Sequence, residues 1–198
     1  MAQDPQNDLA YIRQVMEQTR RFTMVSGNYF IVWGLIISVG LVCTNVIAMT
    51  SIRLPLIAIW IALITVGWVL SFWLGYRKVR YEPVTTYAVR LISSLWVACG
   101  IAMTTAFLMG PWVGAVPYFS IGGLSALFIG IGIFMTGILN GMHWFRNLAI
   151  GWWIGAVVMF VWHGLATLWI SAGLLIVLMV IPGFILNKQA QSLRKSVQ

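Results

Sequence analysis

Charged residues fall in clusters, and between the clusters the chain runs apolar for long stretches. Phe22–Ile52 holds no charged residue over 31 positions, Leu54–Tyr76 none over 23, Leu91–Phe145 none over 55 and Asn147–Asn187 none over 41. A helix crossing the hydrocarbon core of a bilayer needs about 20 apolar residues. The first two stretches therefore predict one crossing each, at 29–49 and 55–76. The third has room for two, at 86–109 and 118–139, with Gly110-Pro111-Trp112-Val113-Gly114-Ala115-Val116-Pro117 as the turn between them. Asn140–Asn147 reads as the next loop. A single helix over the fourth stretch would be about 60 Å long at ~1.5 Å per residue, too long for one crossing. It is read as two short helices, 147–163 and 167–186, turning at Trp162-His163-Gly164; a re-entrant hairpin fits the same residues.

The predicted fold is all-α: a single membrane domain over 1–198, built as a six-transmembrane-helix bundle. Ahead of it, residues 5–21 carry Leu9, Ile12, Val15, Met16 and then Phe22 at spacings of three and four, with Arg13, Glu17, Arg20 and Arg21 between them. That pattern predicts an amphipathic lead-in helix, with Asp4 as its cap and Pro5 in its first turn. The first apolar run is too long for the core of a cleavable leader and is expected to stay as a crossing.

Composition supports lipid as the solvent. Hydrophobic residues make up 61% of the chain and charged residues 8%, against about 25% charged in a soluble domain. The net charge of +8 sits beside the apolar spans, so anionic lipid is the expected counterpart and nucleic acid is not. Six crossings put Arg13, Arg20, Arg21, Arg77, Lys78, Arg80, Arg90, Arg146, Lys188, Arg194 and Lys195 on one side and leave Arg53 on the other. The positive-inside bias then makes both termini cytoplasmic. The densest part of that basic face is the loop Arg77-Lys78-Val79-Arg80-Tyr81-Glu82-Pro83.

The spans carry little catalytic chemistry. Asp4, Asp8, Glu17 and Glu82 are the only carboxylates, and none lies in a span. His143 and His163 fall on opposite faces, about 30 Å of hydrocarbon apart, and cannot share a metal. Cys43 and Cys99 read as buried free thiols. No cofactor, metal or catalytic residue is expected, and the chain is not expected to be an enzyme. His143 with Arg146 is a candidate for holding a lipid phosphate, the rings otherwise being interfacial.

Small residues recur at intervals of four, which lets helices approach closely. The first helix has Gly34 and Ser38; the third has Ser94, Ala98, Ala102 and Ala106; the fourth has Gly122, Ala126 and Gly130; the fifth has Gly151 and Gly155. Packing within the bundle is the expectation for all of them, with contact to a second copy as the alternative. The prolines Pro55, Pro111, Pro117 and Pro182 are read as sitting at helix ends.

The segments Ile12-Arg13-Gln14-Val15-Met16-Glu17, Phe22, Ser26-Gly27 and Ile181-Pro182-Gly183-Phe184-Ile185-Leu186-Asn187 resemble a group of uncharacterised bacterial multi-pass integral membrane proteins. The resemblance covers only the two edges of the membrane domain. It implies a bacterial inner membrane and brings no activity, ligand or catalytic residue with it.

Two functions fit these features. One is an accessory, regulatory or scaffold subunit acting through a protein partner, with Arg13, Arg20, Arg21, Arg77, Lys78 and Arg80 as contact residues. The other is a small transporter or channel for a neutral solute, lined by Thr104, Thr105, Ser125 or Thr136.

Overall fold

The structure, a computed structural model, describes residues 27–50, 55–81, 87–162 and 164–195, the side chains of 78–81 and 193–195 apart. The expected amphipathic helix over 5–21 and the polar positions Arg13, Arg20, Arg21, Arg53, Glu82 and His163 lie outside these residues. The described chain forms α1 (Gly27–Met49), α2 (Leu56–Tyr81), α3 (Tyr87–Trp112), a 3-10 turn at Tyr118–Ser120, α4 (Ile121–Leu139), α5 (His143–Val161), α6 (Ala166–Leu175), a π-helical stretch at Ile176–Val180, and α7 (Ile181–Lys195). Six helical rods are long and apolar enough to cross a membrane, the last being α6 through α7, and no strand occurs among the described residues. The protein is an all-α, multi-pass membrane protein.

Three boundaries differ from the sequence reading. The basic segment is not all loop: α2 continues through Tyr81, so Arg77, Lys78 and Arg80 lie on its last turns. The loop expected at 140–147 shrinks to 140–142, and His143 to Asn147 are already helical. The last rod does not stop near residue 186 but runs to Lys195. Loop residues can be this few because glycine closes the helices. At the end of α3 the Ala115 N–H donates to the Gly110 carbonyl (2.9 Å) and the Gly114 N–H to Pro111 (3.2 Å), with Gly114 at φ 74°. At the end of α4 the Met142 N–H donates to Gly137 (2.9 Å) and the Gly141 N–H to Ile138 (3.0 Å), with Gly141 at φ 64°. Both are the paired-bond cap that needs a left-handed residue just past the helix, a conformation glycine adopts without a Cβ penalty.

Pro182 is not at a helix end, as the sequence reading has it; it lies inside the last rod. Proline has no N–H to give to the carbonyl four residues back, which is Leu178. That carbonyl instead accepts the indole N–H of Trp152 from α5, at 3.4 Å. The π-helical stretch directly precedes Pro182. One aromatic side chain on a neighbouring helix thus takes up a backbone group that proline frees.

The core lies between α4, α5, α1 and the last rod. Ile133, Phe145, Ala149, Trp152, Ala156 and Met159 are all at or below 2% exposed. α2 and α3 are flanking helices. Only 6% and 11% of their most apolar windows are buried, against 44% for Tyr118–Leu139. Their outer faces show Phe72, Val69, Ile57 and Ile101, each more than half exposed. Apolar surface on that scale is unfavourable in water and ordinary in lipid.

Candidate functional site

Three features of the bundle carry polar or recognisable chemistry: joints in which tryptophan is seated on glycine, the outer face of α3, and a polar position buried in α1.

The joints follow a rule that small-residue spacing alone does not reveal. Trp96 of α3 lies over Gly132 of α4, where an added Cβ would stand 2.9 Å from the ring. Its indole N–H donates to Thr136 Oγ1 (3.0 Å), one turn beyond that glycine, and Thr136 donates in turn to the Gly132 carbonyl (2.6 Å). Trp60 of α2 lies over Gly40 of α1 and donates to Thr44 Oγ1 (3.1 Å), again four residues on. Trp33 of α1 lies over Gly67 of α2 and donates to Ser71 Oγ (2.8 Å), once more four residues on. Glycine removes the side chain that would block the ring. A hydroxyl one turn away, on the same helix face, receives the N–H that lipid could not satisfy. The legible signal is Gly-x-x-x-Ser/Thr opposite a tryptophan, a pairing that the spacing of small residues on one helix does not contain. Trp68 over Gly100 and Trp153 over Gly130 repeat the seating.

The small residues of α1, α4 and α5 stand at close crossings. Gly34 has Val180 Cγ2 at 2.5 Å from where a Cβ would lie, and Ser38 on the same face is buried. Gly122 faces Ser171 and Met159, Ala126 is 1% exposed, and Gly130 receives Trp153. Gly151 and Gly155 receive Leu178 and Leu174 of the last rod. The closest crossing was not read from the sequence. Gly27 of α1 and Gly183 of α7 meet backbone to backbone, the Gly27 carbonyl oxygen standing 2.9 Å from where a Gly183 Cβ would be.

The third helix departs from expectation. Ser94 and Ala98 are exposed and Ala102 and Ala106 half-buried, so the stripe does not face another helix of this chain along its length. The buried side of α3 is instead Ile92, Trp96, Cys99 and Met103, which packs on Phe30 and the core. Large side chains win the interior here because Trp96 needs the Gly132 notch and its Thr136 acceptor. Ser94 and Ala98, roughly opposite on the helix, are turned outward, and Ala102 and Ala106 curve back toward the packed side.

At the end of the bundle that carries Gly27 and Lys195, Arg77 is exposed, with its guanidinium carbon 4.6 Å from the centre of the Trp73 ring. Lys78 and Arg80 are placed on the same helix end by the backbone. His143 is exposed in the first turn of α5, and Arg146 follows one turn on, its Nε and Nη2 donating to Asn147 Oδ1 at 3.3 and 3.2 Å. The described basic positions Arg77, Lys78, Arg80 and Arg146 lie at the α2 C-terminus and the α5 N-terminus. Among the described residues no three histidine, cysteine or carboxylate groups are placed to hold a metal.

The hydroxyls proposed to line a path are not arranged as one. Thr136 is fully buried and engaged on both sides, Ser125 donates to the Ile121 carbonyl of its own helix (2.7 Å), and Thr105 is exposed. In α1, by contrast, Asn45 is 2% exposed and neither its Nδ2 nor its Oδ1 has a hydrogen-bond partner.

No protein-family model matches the chain, and no curated protein or solved structure is significantly similar to it.

Proposed function

We infer that this chain is a non-enzymatic subunit of a bacterial inner-membrane assembly, working as an accessory or scaffold through contact with another membrane protein. The observation that supports this is the outward face of α3. Helices associate in lipid by close packing of small residues, since apolar surface alone gives no advantage over lipid tails. Ser94 and Ala98, exposed, with the half-buried Ala102 next along the stripe and Ile101 at its edge, offer a small-residue patch of that kind on a helix whose other face is already committed to the core. In this reading both termini are cytoplasmic, and Arg77, Lys78 and Arg80, with Arg13, Arg20 and Arg21, face anionic lipid and an acidic partner surface. Attraction of that kind fades over about 8–10 Å at physiological salt.

The test uses a chain in which Cys43 and Cys99 are replaced by alanine and Ala98 by cysteine. Cross-linking in native membranes, followed by mass spectrometry, is expected to give an adduct of one defined larger mass. Adding Ala102→Leu should abolish it. A chain that yields no adduct, leaves the membrane alone at every salt concentration and moves a neutral solute in vesicles would replace this reading with the transporter.

A further inference from the structure

We propose that Asn45, on the face of α1 that packs against the last rod, is the anchor of a binding site for a small uncharged molecule carrying a hydrogen-bond donor and an acceptor. At 100° per residue, Gly27, Gly34, Ser38, Leu41 and Asn45 fall within about 60° of one another on the helix. All five are buried. The glycines fix what lies opposite: Gly27 meets Gly183, and Gly34 meets Val180 and the Leu175 carbonyl. The helices run antiparallel, so this register carries Asn45 toward the first turn of α6. Thr167 lies there, 5% exposed, its hydroxyl donating to the Gly164 carbonyl at 2.7 Å.

A helix can relieve part of Asn45's need by itself. Asn140 shows how: its Nδ2 donates to the carbonyl four residues back, Thr136, at 2.8 Å. A rotation would let Asn45 do the same. Its Oδ1 has no such remedy, because the N–H groups inside a helix are already spent on the helix. A buried amide oxygen without a donor is costly, and Ser38 Oγ on the same face is also without a partner. The site therefore asks for a donor from outside the chain and offers a donor in return. A primary amide or a hydroxyl compound meets both demands. An ion does not: the four carboxylates of the chain, Asp4, Asp8, Glu17 and Glu82, all lie outside the helices described, and an unpaired charge within the membrane is expensive. Asn45 is four residues from the end of α1 at Met49, about 6 Å along the helix axis.

The probes are iodoacetamide, which is neutral and carries a primary amide, its anionic counterpart iodoacetate, and unreactive acetamide as a ligand for the chain with Asn45 intact. In membranes holding the chain without Cys43 and Cys99, Asn45→Cys is expected to be alkylated by iodoacetamide at least about tenfold faster than Leu41→Cys, since thiol reactivity follows access. Iodoacetate, scaled to its rate with free cysteine, should lag by a similar factor. A rate at Asn45→Cys no faster than at Leu41→Cys overturns the proposal. So does equal access for iodoacetate, which would mean an open aqueous crevice. The chain with Asn45 intact gives an independent reading. Acetamide is expected to raise its melting temperature and to leave that of Asn45→Leu unchanged; a shift shared by both, or seen in neither, counts against the site.

Discussion

Replacing Thr136 by valine tests whether the tryptophan-on-glycine joints hold the bundle together. Thr136 is 0% exposed, and its hydroxyl accepts the indole N–H of Trp96 at 3.0 Å while donating to Gly132 at 2.6 Å. Valine keeps the shape and removes the acceptor. The Gly132 carbonyl retains its helical N–H, so little is lost there. Trp96 is left with a donor that has lost its acceptor. A typical hydrogen bond contributes about 0.5–1.5 kcal/mol net, and an orphaned buried donor costs about 1–3 kcal/mol. Pairs measured inside membranes average about 0.6 kcal/mol and reach about 1.7, because the unfolded chain in lipid also finds partners. Weighing the two, the expected loss is about 1–2 kcal/mol. The assay is reversible unfolding in mixed detergent micelles of the wild-type chain, Thr136→Val, Trp96→Phe and the double variant. Phenylalanine has no N–H, so the threonine should matter little once Trp96 is gone. A coupling of about 1 kcal/mol is expected, well outside the ~0.3–0.5 kcal/mol within which independent sites add. If Thr136→Val costs as much in the Trp96→Phe background as in the wild-type chain, the bond contributes nothing and the reasoning fails.

Other outcomes follow from the same geometry. Gly183→Ala places a Cβ 2.9 Å from the Gly27 carbonyl oxygen and from Ile31 Cγ1. It should destabilise by about 1–3 kcal/mol in the same unfolding assay. Gly173→Ala in α6, with nothing within 4 Å, should be neutral or stabilise by up to about 1 kcal/mol through helix propensity. Ala98→Leu, on the exposed face of α3, should leave the unfolding midpoint unchanged while abolishing partner capture from native membranes; a fall in midpoint would mean that the residue packs inside the chain. In the chain without Cys43 and Cys99, cysteines at Gly114 and Leu165 should react with impermeant reagent from one side of the membrane and a cysteine at His143 only from the other. Labelling of all three from one side would break the six-crossing order.

The sequence alone determined that this is a helical membrane protein with six crossings. The uncharged stretches between Arg21 and Lys188 leave no soluble surface, and their lengths divide into spans by the dimensions of a bilayer. Gly110–Pro117 and Asn140-Gly141 were legible as turns, because left-handed caps draw glycine. The extra helical turns at Arg77–Tyr81, His143–Asn147 and 187–195 were not: a helix can continue past the hydrocarbon with polar residues, and polarity marks the lipid boundary rather than the helix boundary. Spacing found the small-residue faces of α1, α4 and α5 but misjudged α3. A stripe of small residues permits a close approach without saying that the approaching helix belongs to the same chain. Only the tertiary structure turned Ser94 and Ala98 outward, by giving the interior of α3 to Trp96 and its notch at Gly132 and Thr136. It also paired Pro182 with Trp152, and it left Asn45 enclosed without a partner. Each of those outcomes depends on which residues of different helices come to the same depth. Periodicity along one helix carries no information about that register; side-chain packing between helices sets it.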